Sequence, residues 1–261
     1  MLELKQIKYS YSLVNNSPQF SLGPVNLKIE KGELVSLLGP NGSGKSTLMK
    51  LIAGIIKPLN GEILVENEPY SKISSKELAR KIAFVPQNPS SVYPFTIYEI
   101  VMMGRTPYLN YFGYENNIDC EIVEEALNSV DIYPLRDKPV TQVSGGEIQR
   151  AFIARALAQK APLVLLDEPN SHLDIRHQID LFNLIDRLNK ENGITFISVS
   201  HDINLAAHYF GRAVLLKDGM IVFDGNTKEV INSDNIKSVF EVDSKIFMDS
   251  DTNRLNVSFL N

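Results

Sequence analysis

Nine consecutive residues with the sequence GPNGSGKST satisfy the spacing G-x-x-x-x-G-K-[ST]. Gly39, Pro40, Asn41, Gly42, Ser43, Gly44, Lys45, Ser46 and Thr47 follow an apolar run, LVSLL, and open a helical pattern, LMKLIAGI. A phosphate cradle requires that context. Glycines let successive backbone N–H groups curl around phosphate oxygens, and the positive end of the helix dipole adds to the attraction. In such a loop Lys45 reaches the β- and γ-phosphates of a nucleotide, and Ser46 holds Mg²⁺.

Three further segments end on groups that complete a phosphoryl-transfer site. LVLLDEP ends in paired carboxylates: Asp167 is placed to bind the metal, directly or through water, and Glu168 to polarise a water for attack on the γ-phosphate as general base. His201 closes ITFISVSH and can hydrogen-bond the γ-phosphate or that water, while Gln87 closes IAFVPQ and offers an amide to Mg²⁺ or water. Alone, each is an ordinary polar strand end; beside a phosphate loop they read as Lys45, Glu168, His201 and Gln87 for catalysis, with Ser46, Gln87 and Asp167 for metal.

VSGGE presents a different puzzle. Ser144 and Glu147 have the S-x-x-E spacing of a helix capping box. Capping leaves Gly145 and Gly146 unexplained, because glycine costs about 1 kcal/mol per helical position relative to alanine.

The elements that position these residues follow from periodicity. Leu34–Gly39, Ile82–Gln87, Leu163–Pro169 and Ile194–His201 are short continuous apolar runs separated by helical patterns, as in a parallel sheet covered on both faces. Ligands of such sheets gather at the carboxyl ends of the strands, so the four endings converge on one site. LELKQIKYSY and VNLKIEKGE alternate instead, predicting an antiparallel β layer, and Asp218-Gly219 between two apolar runs predicts a hairpin. From Gln87 to Ser144 the chain is aromatic and proline-rich, then amphipathic, and reads as a helical insertion with Glu121, Glu124 and Glu125 on a solvated face. Beyond Asn226 only short polar and apolar segments remain, too few for a separate sensor domain.

With 261 residues, 44% of them hydrophobic, one large domain can bury its own core. A net charge of −5 disfavours nucleic acid and anionic lipid as partners. One cysteine, Cys120, and an amino terminus without an export-signal layout predict a cytosolic setting. No run approaches the roughly 20 apolar residues that span a bilayer, so a membrane role is expected to be peripheral. His172, His177, His201 and His208 show no tight ligand spacing with cysteine. The nearest approach to a guanine-reading N-K-x-D is NKEN at 189–192, which lacks the aspartate.

Taken in order, GPNGSGKST, Gln87, VSGGE, LVLLDEP with NSHLD after it, and His201 resemble the ATP-binding subunit of an ABC transporter along nearly the whole chain. The resemblance implies an α/β fold: a P-loop NTPase ABC cassette with a mixed parallel sheet core, an N-terminal antiparallel β layer and a helical subdomain insertion. Residues 1–261 would be a single nucleotide-binding domain, with 1–87 and 161–261 as RecA-like core and β layer and 88–160 as helical subdomain. It implies ATP and Mg²⁺, and a second copy of the chain bound head-to-tail. Ser144, Gly145, Gly146 and Glu147 would then face the γ-phosphate held by the other copy, with Asp174 at the same interface and Tyr11, neighboured by Tyr9, against adenine. Val143, Glu147 and Asn170 depart from the commonest family pattern without removing a phosphate ligand.

VMMGRTPYLNYFG, EPNSHLDIRHQ and HDINLAAHY resemble, more finely, the subfamily serving iron-siderophore, haem and cobalamin importers. That implies two transmembrane permease subunits, an indirectly coupled substrate-binding protein, and a peripheral position on the cytoplasmic face of the membrane. Gln87, Tyr93, Phe95 and Tyr98 would line the groove for a permease helix. Import of molybdate or a related oxyanion, and a soluble ABC ATPase of iron–sulfur cluster assembly, stand as alternatives.

Overall fold

The computed structural model describes residues 1–11, 13–14, 17–18, 20–87, 93–109, 114–171 and 173–260, with only backbone at 13, 14, 17 and 18. Residue 88, the predicted start of the helical subdomain, and His172 lie outside the described residues, as do 110–113 of the predicted subfamily segment.

A six-stranded sheet runs through the centre in the order Met220–Asn226, Arg212–Lys217, Leu34–Leu38, Thr195–Val199, Leu163–Asp167, Ile82–Val85. The last five are mutually parallel, and Met220–Asn226 is an antiparallel edge. All residues of Leu163–Asp167 and Thr195–Val199 are buried, which is why their sequences are continuous apolar runs with no alternation. The edge strand alternates exposed and half-buried positions, and the predicted hairpin turns at Asp218 and Gly219 with φ of 50° and 77°, the left-handed pair that a two-residue turn demands.

The amino-terminal layer is a four-stranded antiparallel sheet ordered Ser21–Ile29, Leu2–Ser10, Asn60–Val65, Glu68–Pro69. Its first strand departs from strict alternation. The register slips between Leu4 and Ile7, where Gln6 adopts φ 51°, and this bulge turns Ile7 inward beside Leu2 and Leu4. Those three side chains pack with Leu48, Met49, Leu51 and Ile52 of helix Lys45–Ile52, sealing the space between the sheets. Full burial of each such side chain contributes about 1.5–3 kcal/mol.

A second core gathers helices Ile97–Met102, Asn117–Ser129 and Gly145–Ala158 against the other face of the central sheet. Each of the three begins with a complete capping box, at Thr96, Asn116 and Ser144. Glu121, Glu124 and Glu125 are exposed as expected, whereas Asp119 on the same helix is buried against Arg105 at 2.9 Å. After Asn226 the chain forms helix Ser233–Phe240 and the hairpin Ser244–Met248/Leu255–Phe259. Ile236, Val239, Leu255 and Val257 close a third core over Leu38, Ala213 and Leu215. No helix among the described residues is long and apolar enough to cross a membrane.

Candidate active site

The four chemistry-bearing strand ends lie together at the carboxyl edge of the central sheet. Strand Leu34–Leu38 leads into a loop whose Gly39, Gly42 and Gly44 have φ of 153°, 79° and 103° before helix Lys45–Ile52 begins. A Cβ on Gly39 would stand 2.2 Å from the carbonyl oxygen of Leu216, so close approach as well as φ demands glycine there. Ser43 Oγ is buried without a hydrogen-bond partner among the described residues, an orphan that a phosphate oxygen would satisfy. Lys45 is buried, and its Nζ donates to the carbonyls of Gly39 at 2.8 Å and Pro40 at 3.0 Å. Burial pulls its pKa below the ordinary lysine value, against the opposing charges of Glu168 and Asp167. A desolvated ammonium on this loop is suited to an anion.

Asp167 ends strand Leu163–Asp167 with only 5% of its surface exposed and accepts from Ser46 Oγ at 3.1 Å. Burial pushes its carboxyl above the ordinary carboxylate range, with Ser46 opposing. A buried carboxylate touching a hydroxyl at the mouth of a phosphate loop is a hard-oxygen donor pair, and it fits Mg²⁺.

The next residue, Glu168, has φ 49°, a left-handed backbone that costs about 1–3 kcal/mol outside glycine and is typical of functional positions. The turn is held by Glu168 N–H donating to Val199 O at 3.2 Å and by Ser171 Oγ donating to Glu168 O at 2.9 Å. It brings the carboxylate between two neighbours: Gln87 Nε2 lies 2.5 Å from Oε2 and His201 Nε2 lies 2.6 Å from Oε1. Lys45, Ser46, Gln87, Asp167, Glu168 and His201 therefore form one constellation. Ser171, which also reaches Gln87 O at 3.4 Å, belongs to it as a brace that nothing in the sequence singled out.

Tyr11 lies just past the first strand, 40% exposed, its hydroxyl 3.4 Å from Thr47 Oγ1 and its ring edge-on to Tyr9 at 5.1 Å. Tyr9 is instead packed against the core between the sheets.

Ser144, Gly145, Gly146, Glu147 and Asp174 stand apart from this constellation. Among the described residues they share no hydrogen bond or ion pair with Gly39–Thr47 or with the Glu168 carboxylate. Ser144 caps helix Gly145–Ala158: Glu147 accepts from its N–H and hydroxyl, both at 2.7 Å, and those bonds hold the Glu147 carboxyl below the usual carboxylate range. The two glycines differ. A Cβ on Gly145 would meet nothing within 4 Å, whereas one on Gly146 would meet the His177 ring at 3.2 Å. The second glycine thus has a close neighbour inside the chain. Asp174 caps helix Ile175–Asn192, accepting from His177 N–H at 2.9 Å. Of the aromatics predicted to line a docking groove, Phe95 and Tyr98 are half-buried against the helical core, and Tyr93 is exposed.

Residues 22–171 match the sequence pattern of the family described as ABC transporter. The chain belongs to this family. It is 39% identical over 230 residues, 88% of its length and 86% of the relative's, to the iron(3+)-hydroxamate import ATP-binding protein of Bacillus subtilis. The inward-facing structure of a putative metal-chelate type ABC transporter superposes with TM-score 0.86 and 28% identity, over 99% of this chain and 96% of that one. The dimeric post-hydrolysis structure of an ATP-binding cassette bound to ADP and phosphate superposes with TM-score 0.76 and 32% identity, over 87% and 99%. The fold is the ABC cassette, and its activity is ATP hydrolysis coupled to transport. Cassettes of the family form dimers.

Proposed function

We propose that this cassette drives import of a metal chelate, of the iron-siderophore, haem or cobalamin class, as the ATP-hydrolysing subunit of a complex with two permease subunits. It would sit peripherally on the cytoplasmic face of the membrane and serve a substrate-binding protein indirectly. Residues 1–87 and 161–261 form the catalytic core with its β layer in this reading, and 88–160 the helical subdomain.

The observation that carries the chemistry is the Glu168 carboxylate, gripped at both oxygens by Gln87 and His201 beside the phosphate loop. Gly39–Thr47 binds the ATP phosphates with backbone amides and Lys45, and Tyr11 stacks on adenine. Glu168 takes a proton from the attacking water, and His201 holds the carboxylate or the γ-phosphate in line. Ser46, Asp167 and Gln87 would hold Mg²⁺, which when bound neutralises charge on the phosphate oxygens. Among the described residues Ser144–Glu147 and Asp174 share no hydrogen bond or ion pair with their own phosphate loop, and Ser144, Gly145 and Asp174 are exposed. They suit the other copy's ATP, so a head-to-tail pair shares two sites.

Uptake of radiolabelled ferric hydroxamate, haem and cobalamin by cells carrying the chain with its permease tests the reading. One of these chelates should accumulate with the wild-type chain and not with Glu168→Gln. Equal uptake with both chains would overturn it.

A further inference from the structure

One side chain joins the two surfaces assigned above to the partner copy. His177 Nδ1–H donates to Asp174 Oδ1 at 2.8 Å, and the His177 backbone N–H donates to the same oxygen at 2.9 Å. The other edge of the ring lies on the start of helix Gly145–Ala158, where a Cβ on Gly146 would meet Cδ2 at 3.2 Å and Cγ at 3.5 Å. Around the ring is a hollow of about 370 Å³ lined by Gly146, Glu147, Arg150, Arg176 and Asp180. Arg150 is engaged there with Asp180 at 3.9 Å and with Asp131 at 3.7 Å. The His177 side chain is 46% exposed and that of Asp174 66%, so neither is held in place by core packing.

We propose that His177 is a positioning residue for the shared ATP site: it locks Asp174 and the Ser144–Glu147 helix start into one rigid element, so that both meet the partner in a single register. The inference rests on the head-to-tail pairing proposed above. It gives Gly146 a close neighbour within its own chain: an alanine Cβ there would press on the ring by a few tenths of an ångström and loosen the plate that ties the two segments together.

The test measures ATP-dependent dimerisation by sedimentation in a Glu168→Gln background, alongside nucleotide affinity of the monomer and thermal melting of every variant. His177→Gln retains an amide donor for Asp174 but no ring over Gly146, His177→Phe retains the ring but no donor, and His177→Ala loses both. His177→Ala is expected to weaken dimerisation about ten-fold and each partial variant less, the size of one modest hydrogen bond or contact. Monomer ATP affinity and melting should hold. Gly146→Ala should weaken dimerisation when His177 is present and add little in His177→Ala, a non-additivity that a surface histidine would not produce. Unchanged dimerisation in His177→Ala, or an equal loss of monomer ATP affinity, would overturn the role of His177. If the Glu168→Gln parent fails to dimerise with ATP, the head-to-tail pairing itself falls and takes this inference with it.

Discussion

His201 Nε2 stands 2.6 Å from Glu168 Oε1, although the two close different strands and are 33 positions apart. Gln87, from a third strand, holds the opposite oxygen. Glu168→Gln keeps the shape and removes the proton acceptor, so turnover should fall about 10²–10⁴-fold, the range of general-base catalysis. ATP affinity should remain, because in the proposed reading phosphate binding is carried by Gly39–Thr47. His201→Ala should lower turnover in the same direction through lost orientation, also without loss of affinity. Phosphate release and nucleotide titration separate these effects; near-normal turnover of Glu168→Gln removes it as the base.

Asp167 illustrates a conflict between stability and function. Burial raises its pKa above the unfolded value, and the Ser46 hydrogen bond, with Lys50 and Lys45, only partly opposes this. An acid whose pKa rises on folding holds its proton more tightly in the folded chain. Stability on this account is therefore greatest below the unfolded pKa and is lost as pH climbs through the folded one. Above the folded pKa the cost of a buried charge is present in full. Asp167→Asn, whose amide oxygen still accepts from Ser46, should raise Tm at pH 7 by a few degrees, about what 1 kcal/mol produces in a chain of this size. The gain should shrink as pH falls through the folded pKa of Asp167, and Mg²⁺-dependent turnover of the variant should collapse. Melting curves against pH check the sign, and a lower Tm for Asp167→Asn at pH 7 contradicts it.

The sequence revealed the chemistry more fully than its supports, for physical reasons. Gly39, Gly42, Gly44, Lys45 and Ser46 lie in one short loop, so their pattern is visible in one dimension. Strands buried on both faces show as unbroken apolar runs, and the groups ending them had to share a sheet edge. The bulge at Gln6 was hidden because a period-two pattern carries no mark for one extra residue. Asp119 was hidden inside an acidic helix, its partner Arg105 set by packing. Gly146 reads as a site glycine in the sequence, which gives no sign that His177, distant along the chain, also lies on it. The left-handed turn at Glu168 was invisible because its residue type gives no warning of φ.

Arg105 and Asp119 form a buried pair at 2.9 Å, with side chains 6% and 3% exposed. The guanidinium also donates to Ala158 O at 2.7 Å and lies 4.0 Å over the Tyr108 ring. It thus neutralises Asp119 and satisfies a carbonyl at the end of helix Gly145–Ala158, where no further helical N–H follows. Arg105→Ala strands a buried carboxylate and should cost about 3–5 kcal/mol in denaturant unfolding. Replacing both partners with apolar residues should cost less than Arg105→Ala alone. A loss below 1 kcal/mol would show that the pair is not buried in solution.

Tyr11 and Tyr9 touch edge to face, and of the two Tyr11 is the more exposed and the better placed as a platform for a base. Tyr11 is 40% exposed beside Thr47, whereas Tyr9 packs inward. Stacking of a base on an aromatic is worth about 1–3 kcal/mol and depends on the π-face, not on the hydroxyl. Tyr11→Phe should therefore bind ATP as the wild type does, and Tyr11→Ala should bind it about ten-fold more weakly. ADP should suffer the same loss, since the contact involves adenine and not the γ-phosphate. Tyr9→Ala should lower the melting temperature with little effect on affinity at temperatures where it stays folded. Titration of the three variants with a fluorescent nucleotide decides between the two rings, and an undiminished affinity in Tyr11→Ala would leave adenine to some other surface.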